Sequence, residues 1–212
     1  MKYVSLCFFL FTVLNWFPNL AISQVISDSS KLTRGYYTSF ENFRKNVVVP
    51  ADIYLEYDFF ESPDCPKMQY CDNGGIDLFK LKNKEDKRFK TESSIFAVSD
   101  GKKLYILSRP ADIFSPDVVV QILFLGKYAG YIDLKPGMVT SGQYGATGST
   151  PPKIEECVID MYTGELIRLN EANMKSILKD YPDIHQEYKN DKKGKTRRLY
   201  YIEMINQLLK KN

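Results

Sequence analysis

One histidine in 212 residues, His185, sets the first limit on the chemistry of this chain. Metal centres and catalytic sites that need two or three imidazoles are excluded. A Ser/His/Asp arrangement has only His185 to draw on, and no serine lies in the Gly-x-Ser-x-Gly setting of a nucleophile elbow. His185 sits in Pro182–Tyr188 with Asp183 and Glu187 near it, a common pattern on a surface helix. Excess charge of one sign is missing too. Twenty-nine Lys and Arg stand against 26 Asp and Glu, a net charge of +3, too little to draw a polyanion. Cysteine is sparse, at four residues. Cys65, Cys71 and Cys157 lie beyond the first segment, and an odd number cannot all pair within one molecule. The close Cys pairs of zinc sites are absent. Asp72-Asn73-Gly74 has neither the further acidic ligands nor the closing Glu of a calcium loop. No metal and no cofactor is expected.

Long apolar runs are also lacking, with one exception at the start. Lys2 is followed by Tyr3–Leu14, an uncharged and almost unbroken apolar run. Asn15–Asn19 interrupts it with Pro18, and Ala21-Ile22-Ser23 places small residues where a signal peptidase reads. A spanning helix needs about 20 apolar residues, more than this run supplies. Cys7 follows Leu6 inside the run, so a lipoprotein signal does not fit. Residues 1–23 therefore read as a signal peptide, with the exported chain starting at Gln24 and no stable membrane span after cleavage. The predicted location is periplasmic or secreted, which removes nucleic acid and nucleotide cofactors from the expected partners.

Aromatic residues, by contrast, are plentiful: 15 Tyr and 13 Phe. They favour strands and half-buried surfaces. Residues 24–34 are polar and read as a flexible segment. Thr38 and Glu41 form a capping box for a short helix carrying Phe40, Phe43 and Val47 and ending before Pro50. In Ile53–Phe60, Ile53, Leu55, Tyr57 and Phe59 point one way and Tyr54, Glu56 and Asp58 the other, the mark of a half-buried strand. Ile76–Leu81 reads as its partner, and the charged stretch Lys82–Lys90 as a solvated turn. Asp100-Gly101 between Ile95–Val98 and Leu104–Leu107 signals a tight hairpin. Val118–Leu125 reads as a central strand with Tyr128–Leu134 as its neighbour. A third hairpin spans Cys157–Leu169. Lys135–Lys153, rich in Gly, Pro, Ser and Thr, reads as a long flexible loop; its glycines make no phosphate cradle. Asn170 caps a helix with Met174, Ile177, Leu178 and Tyr181 on one face. Pro182 opens the next helix, and Leu199, Ile202, Ile205 and Leu209 mark the last.

The predicted fold class is α+β: an antiparallel β-sheet of sequential hairpins, one short N-terminal helix and two or three C-terminal helices. Residues 35–212 form a single domain, with its helical portion at 170–212. Cys65 and Cys71 flank a short turn-rich stretch where an exported protein can keep a disulfide, worth about 2 kcal/mol for so short a loop; the alternative is two unpaired thiols near a loop. Cys157 shares a strand face with Ile159 and Met161 and reads as a buried apolar thiol, with Glu156 and Asp160 opposite. The candidate binding residues are Tyr54, Glu56 and Asp58, one strand face with an aromatic ring and two carboxylates. The basic run Lys189–Arg198 reads as a solvated link between helices.

Arg34-Gly35-Tyr36-Tyr37-Thr38-Ser39-Phe40, Ser99–Ile106, Val158-Ile159-Asp160 with Thr163-Gly164, and Ile177–Pro182 follow one another in a familiar order. Together they resemble a domain-of-unknown-function family of small exported proteins from Gram-negative bacteria. That resemblance implies no activity and no catalytic residues. The expected function is an exported envelope protein, a non-enzymatic binding or interaction module for a protein or glycan. The alternative is a hydrolase acting on cell-wall or other polysaccharide through acidic residues such as Glu56 and Asp58.

Overall fold

The computed structural model describes residues 32–61, 75–85, 87–89, 94–108, 118–135, 139–141, 147–149 and 153–211. Residues 1–23, expected to be a signal peptide, and the Cys65–Cys71 stretch with its expected disulfide lie outside them. The described chain is mostly antiparallel sheet with helices gathered at its C-terminal end, an open α+β architecture. No helix among the described residues is long and apolar enough to cross a membrane.

In chain order the strands are β1 (Gly35–Tyr37), β2 (Val49–Pro50), β3 (Tyr54–Glu61), β4 (Gly75–Lys82), β5 (Ala97–Ser99) and β6 (Leu104–Leu107), then β7 (Val118–Phe124), β8 (Tyr128–Lys135), β9 (Val139–Ser141), β10 (Thr147–Ser149), β11 (Lys153–Asp160) and β12 (Leu166–Arg168). The helices are α1 (Phe40–Arg44), α2 (Glu171–Leu178), α3 (Pro182–Asn190) and α4 (Arg198–Lys211). Ten strands share one sheet in the order β12-β11-β8-β7-β6-β5-β1-β2, with β4 joined to β7 and β3 to β4. Strand β7 is the junction. Its Val119 pairs with Leu107 of β6 and with Phe79 of β4, and farther along Ile122 and Phe124 pair with β8 across a bulge.

The hairpins form where turn chemistry demands them. The Asp100 carboxylate accepts the amides of Lys102 and Lys103, both at 2.7 Å, and Gly101 takes φ 90°. Asp160 repeats the device with the amides of Tyr162 and Thr163, and Gly164 takes φ 78°. Period-two alternation then divides the core. Ala97, Leu104, Ile106, Val118 and Val120 face the main core with the helices, while Val98, Tyr105, Val119, Leu81 and Ile53 form a smaller cluster on the other face.

Some sequence expectations need correction. Ser39, not Thr38, caps α1 by accepting the Asn42 amide, and Thr38 instead accepts from the Asn42 side chain. This helix ends at Arg44, because Asn46 adopts φ 54° and β-branched Val47–Val49 favour extended backbone. Tyr37, just before the expected Thr38 cap, belongs to the strand β1. Within Lys135–Lys153, expected as a loop, β8 and β11 reach inward until Lys135 pairs with Lys153, and β9 and β10 form a small ladder. Lys82 also bridges to Arg88, so the charged turn extends the sheet. Leu209, expected on the apolar face of the last helix, is exposed.

Helix α4 is fixed to the sheet at both ends of its buried face. Leu199, Ile202 and Ile205 supply the apolar contact. Glu156, expected on the polar face of β11, is buried, and its carboxylate accepts the amides of Arg198 and Leu199 at 3.2 Å each. A carboxylate from a distant strand thus satisfies orphan donors of the helix N-terminus and complements its dipole. Near the other end, the Asn206 side chain accepts from the Tyr128 amide at 3.1 Å and donates to the Tyr128 carbonyl at 2.8 Å. Gly126 makes room for this pair, since a Cβ there would lie 2.4 Å from Asn206 Cγ. The link from α3 to α4 is tied by Asp191, which accepts from Arg197, from the Tyr201 hydroxyl at 2.8 Å and from the Lys193 amide at 2.8 Å.

These contacts set two predictions. Asn206→Leu leaves the Tyr128 amide and carbonyl unpaired in the interior, and urea denaturation is expected to show a loss of about 2–4 kcal/mol. The second concerns pH. Burial raises the Glu156 pKa above 4.5, against the two amide bonds that lower it. The folded state then holds the proton longer than the unfolded state, so this residue's contribution to stability falls as pH rises from about 4.5 through the folded value. Arg197, then the Lys193 amide and the Tyr201 hydroxyl, lower the Asp191 pKa from 3.8 to about 2, so its contribution is present above 3.8 and is lost as pH falls toward 2. Subtracting the pH–stability curves of Glu156→Gln and Asp191→Asn from that of the native chain is expected to give slopes of opposite sign.

Candidate functional site

Strand β3 carries the candidate residues and lies at the rim of the sheet. It pairs with β4 over its full length, Tyr54 with Lys82 through Glu61 with Gly75, and no strand among the described residues pairs with its other side. The Leu81 carbonyl accepts the Phe89 amide at 3.1 Å, so Leu81 turns its backbone groups away from β3. Alternation along an antiparallel pair then fixes the rest. Tyr54, Glu56 and Asp58 direct their amides and carbonyls to β4, and Leu55 and Tyr57 direct theirs to the open side. The other sheet edges offer less. Strand β2 has two residues and ends in Pro50, which has no N–H, and β12 has three.

Tyr54, Glu56 and Asp58 do share one face, as the alternation predicts. Each carboxylate meets a lysine of β4: Asp58 pairs with Lys80 at 2.8 Å and Glu56 with Lys82 at 3.0 Å. The carboxylate side chains remain 45% and 51% exposed. Arg34 lies 5.9 Å from the centre of the Tyr54 ring, a cation–π contact that holds the ring over the start of the strand.

The opposite face departs from the expected half-burial. Ile53 is buried, but Tyr57 is 60% exposed. Its ring meets Phe79 edge-on at 5.9 Å, and Phe79 meets Tyr105 at 5.1 Å, giving an aromatic row that runs into the smaller core. The Tyr57 hydroxyl donates to Asp77 at 3.0 Å, and this bond, followed by burial, raises its pKa. The row ends where the Tyr105 hydroxyl donates to Asp100 at 3.0 Å. Burial opposes the Asp100 charge, but the amides of Lys103 and Lys102 and the Tyr105 hydroxyl prevail and hold its carboxyl below the usual range. Tyr57 therefore belongs with the site, although alternation alone assigned it to the core. Its position on a strand with no further strand neighbour among the described residues is what exposes it.

A polar concavity lies at the other end of the sheet. It measures about 360 Å³, with Tyr131, Asp133, Cys157 and Arg168 among the residues that line it. Asp133 is buried and accepts the Ser108 hydroxyl at 2.6 Å and the Leu134 amide at 2.8 Å. Arg168, at the rim, pairs with Glu155 at 3.0 Å. Cys157 is buried and unbridged, and burial, then the charges of Asp133 and Glu155, push its thiol up to about 12. A thiol so held has no thiolate to offer as a nucleophile or metal ligand. Among the described residues no group of three or more His, Cys, Asp or Glu is placed to hold a metal ion. His185 is half-buried on α3, away from these sites in sequence, and its amide makes the ordinary helical bond to Tyr181.

Iodoacetamide at about pH 8 is expected to leave Cys157 unmodified in the folded chain and to alkylate it fully in urea, read on the peptide that contains it by mass spectrometry. Modification at equal rates in both conditions would contradict the burial described. Comparison of the chain with family models, with curated proteins and with solved structures finds no match in any of the three.

Proposed function

We propose that this chain is an exported, non-enzymatic interaction module that takes an extended segment of another protein along the open edge of β3. The observation that carries this reading is an eight-residue rim strand whose outward backbone groups at Leu55 and Tyr57 meet no other strand among the described residues, beside the exposed rings of Tyr54 and Tyr57. Backbone donors and acceptors in a row are the template for strand addition, and alternate side chains add selectivity. Aromatic rings contribute contact area at low entropic cost. Export rests on Lys2, the Tyr3–Leu14 run and Ala21-Ile22-Ser23, and agrees with the resemblance to small exported proteins of Gram-negative bacteria. The hydrolase alternative gains no support from a site in which Glu56 and Asp58 each pair with a lysine on an open strand face.

The test places a photoreactive residue at position 57 and, as a control, at exposed position 209 of α4. After expression in a Gram-negative host, the mature mass is expected to start at Gln24. Illumination in the envelope is expected to give protein adducts from position 57 and few from position 209. Equal labelling at the two positions, or none at 57, would remove the case for the β3 edge; retention of residues 1–23 on a cytoplasmic product would remove the case for export.

A further inference from the structure

The basic run Lys189–Arg198, which links α3 to α4, takes no part in the β3 edge. It holds Lys189, Lys192, Lys193, Lys195, Arg197 and Arg198 against one acid, Asp191. That acid is engaged within the link: its carboxylate accepts from Arg197, from the Tyr201 hydroxyl at 2.8 Å and from the Lys193 amide at 2.8 Å. Arg197 and Arg198 are only half-buried, and Arg197 also lies 5.2 Å from the centre of the Tyr200 ring. The lysines differ. Lys189, Lys192, Lys193 and Lys195 are all exposed, and none has an ion pair among the described residues. The net charge of the whole chain is small, so any attraction to a polyanion depends on where positive charge is concentrated.

The link holds these charges together. The Gly194 amide donates to the Asp191 carbonyl at 3.0 Å, and the Thr196 amide and hydroxyl both donate to the Lys193 carbonyl at 2.9 Å. Gly194 is the inward point of the turn. It is buried, and a Cβ there would lie 2.9 Å from the Tyr188 carbonyl oxygen, while Lys193 and Lys195 on either side of it are exposed. Lys192 and Lys195 are three residues apart, so even an extended chain keeps their backbones within about 10 Å. That is roughly the Debye length at 0.1 M salt, so an anionic surface meets these charges as a group.

Going beyond the β3 reading and independent of it, we propose that the α3–α4 link docks this chain on a lipid bilayer that carries anionic headgroups. Three features select that partner. An ammonium on a flexible four-carbon stem is a mobile point charge, suited to a diffuse array of headgroups; recognition of one fixed anion favours the planar fork of Arg, and Arg197 is bound to Asp191. Protein interfaces are depleted in Lys and anchored by aromatic rings, whereas the residues interspersed with these lysines are Asn190, Asp191 and Gly194. Clusters of about four to eight Lys and Arg are the pattern attracted to an anionic bilayer. Docking of this kind is reversible, and salt weakens it.

The experiment sediments the purified exported chain with vesicles of phosphatidylcholine alone and with vesicles of equal parts phosphatidylcholine and phosphatidylglycerol. The chain is expected to bind the anionic vesicles, to leave the neutral ones unbound, and to be released as salt is raised. A Lys192→Gln, Lys193→Gln, Lys195→Gln variant is expected to bind the anionic vesicles at least about tenfold more weakly. A Lys84→Gln, Lys102→Gln, Lys175→Gln variant removes the same charge from exposed lysines scattered over the domain, and is expected to weaken binding by about twofold or less. Inorganic phosphate at constant ionic strength and soluble poly-glutamate are added as competitors, and the vesicles are expected to hold the chain against both.

No sedimentation with the anionic vesicles overturns the proposal, as does equal sedimentation with both kinds. Equal weakening by the two triple variants assigns the attraction to net charge and overturns the role of the link. Displacement by inorganic phosphate marks a site for a single anion, and tighter binding to poly-glutamate marks an acidic polymer as the partner; either result overturns the lipid assignment. Circular dichroism melting shows whether both variants are folded, and the salt titration puts the same electrostatic question to the native chain, where binding that ignores salt overturns the proposal.

Discussion

The attachment of α4 to the sheet is the constraint on which the rest of the architecture depends. Its buried N-terminus presents amide donors that the helix cannot satisfy itself, and Glu156 of β11 accepts two of them. Burying a carboxylate is costly, and the raised pKa of Glu156 records that cost. The two amide bonds and the positive end of the helix dipole offset it. Two turns farther on, Asn206 matches the donor and acceptor of Tyr128 with its own acceptor and donor. Two polar contacts at separate points on one helix fix both its position and its rotation. Leu199, Ile202 and Ile205 can then only face the sheet, and the main core closes beneath them. The absence of a side chain at Gly126 follows from the same contact.

The other decisive feature is the sharing of β7 among three strands. Because β4 takes the start of β7 and β8 its end, the β3–β4 pair stands out from the main strand order. Among the described residues that arrangement makes β3 a rim strand of eight residues, while β2 and β12 leave short or proline-blocked edges. The aromatic row from Tyr57 through Phe79 to Tyr105 ties this rim to the smaller core, so its geometry rests on packed side chains. The proposed site therefore lies on a regular element held on one side by a continuous ladder, the kind of support that keeps backbone groups in line for a partner.

Local signals were read well from the sequence where local physics decides. Asp100-Gly101 and Asp160 with Gly164 dictate hairpins through amide bonds and positive φ, and neither needs the rest of the chain. Asn170 and Pro182 likewise open α2 and α3 where expected. The same-face grouping of Tyr54, Glu56 and Asp58 follows from the two-residue period alone. What was missed was set by distant partners. Gly35–Tyr37 carries no strand signal of its own beside the expected helix, and pairing of β1 with β5 makes it a strand. Glu156 follows Glu155 in a stretch that looks solvated, and only the arrival of α4 makes its burial tolerable. Val139–Ser141 and Thr147–Ser149 look like loop by composition and form a ladder because β8 and β11 bring their ends together.

The sequence by itself determined the α+β class, the hairpin order, the starts of α2 and α3 and the shared face of Tyr54, Glu56 and Asp58. These depend on periodicities and turn chemistry that operate within a few residues. Tertiary structure alone decided that β3 has one strand neighbour among the described residues, that Tyr57 is exposed on the nominally buried face, and that Asp58 and Glu56 pair with Lys80 and Lys82 of β4. Those outcomes depend on which strand becomes whose neighbour, and strand neighbours are chosen by packing across the whole sheet.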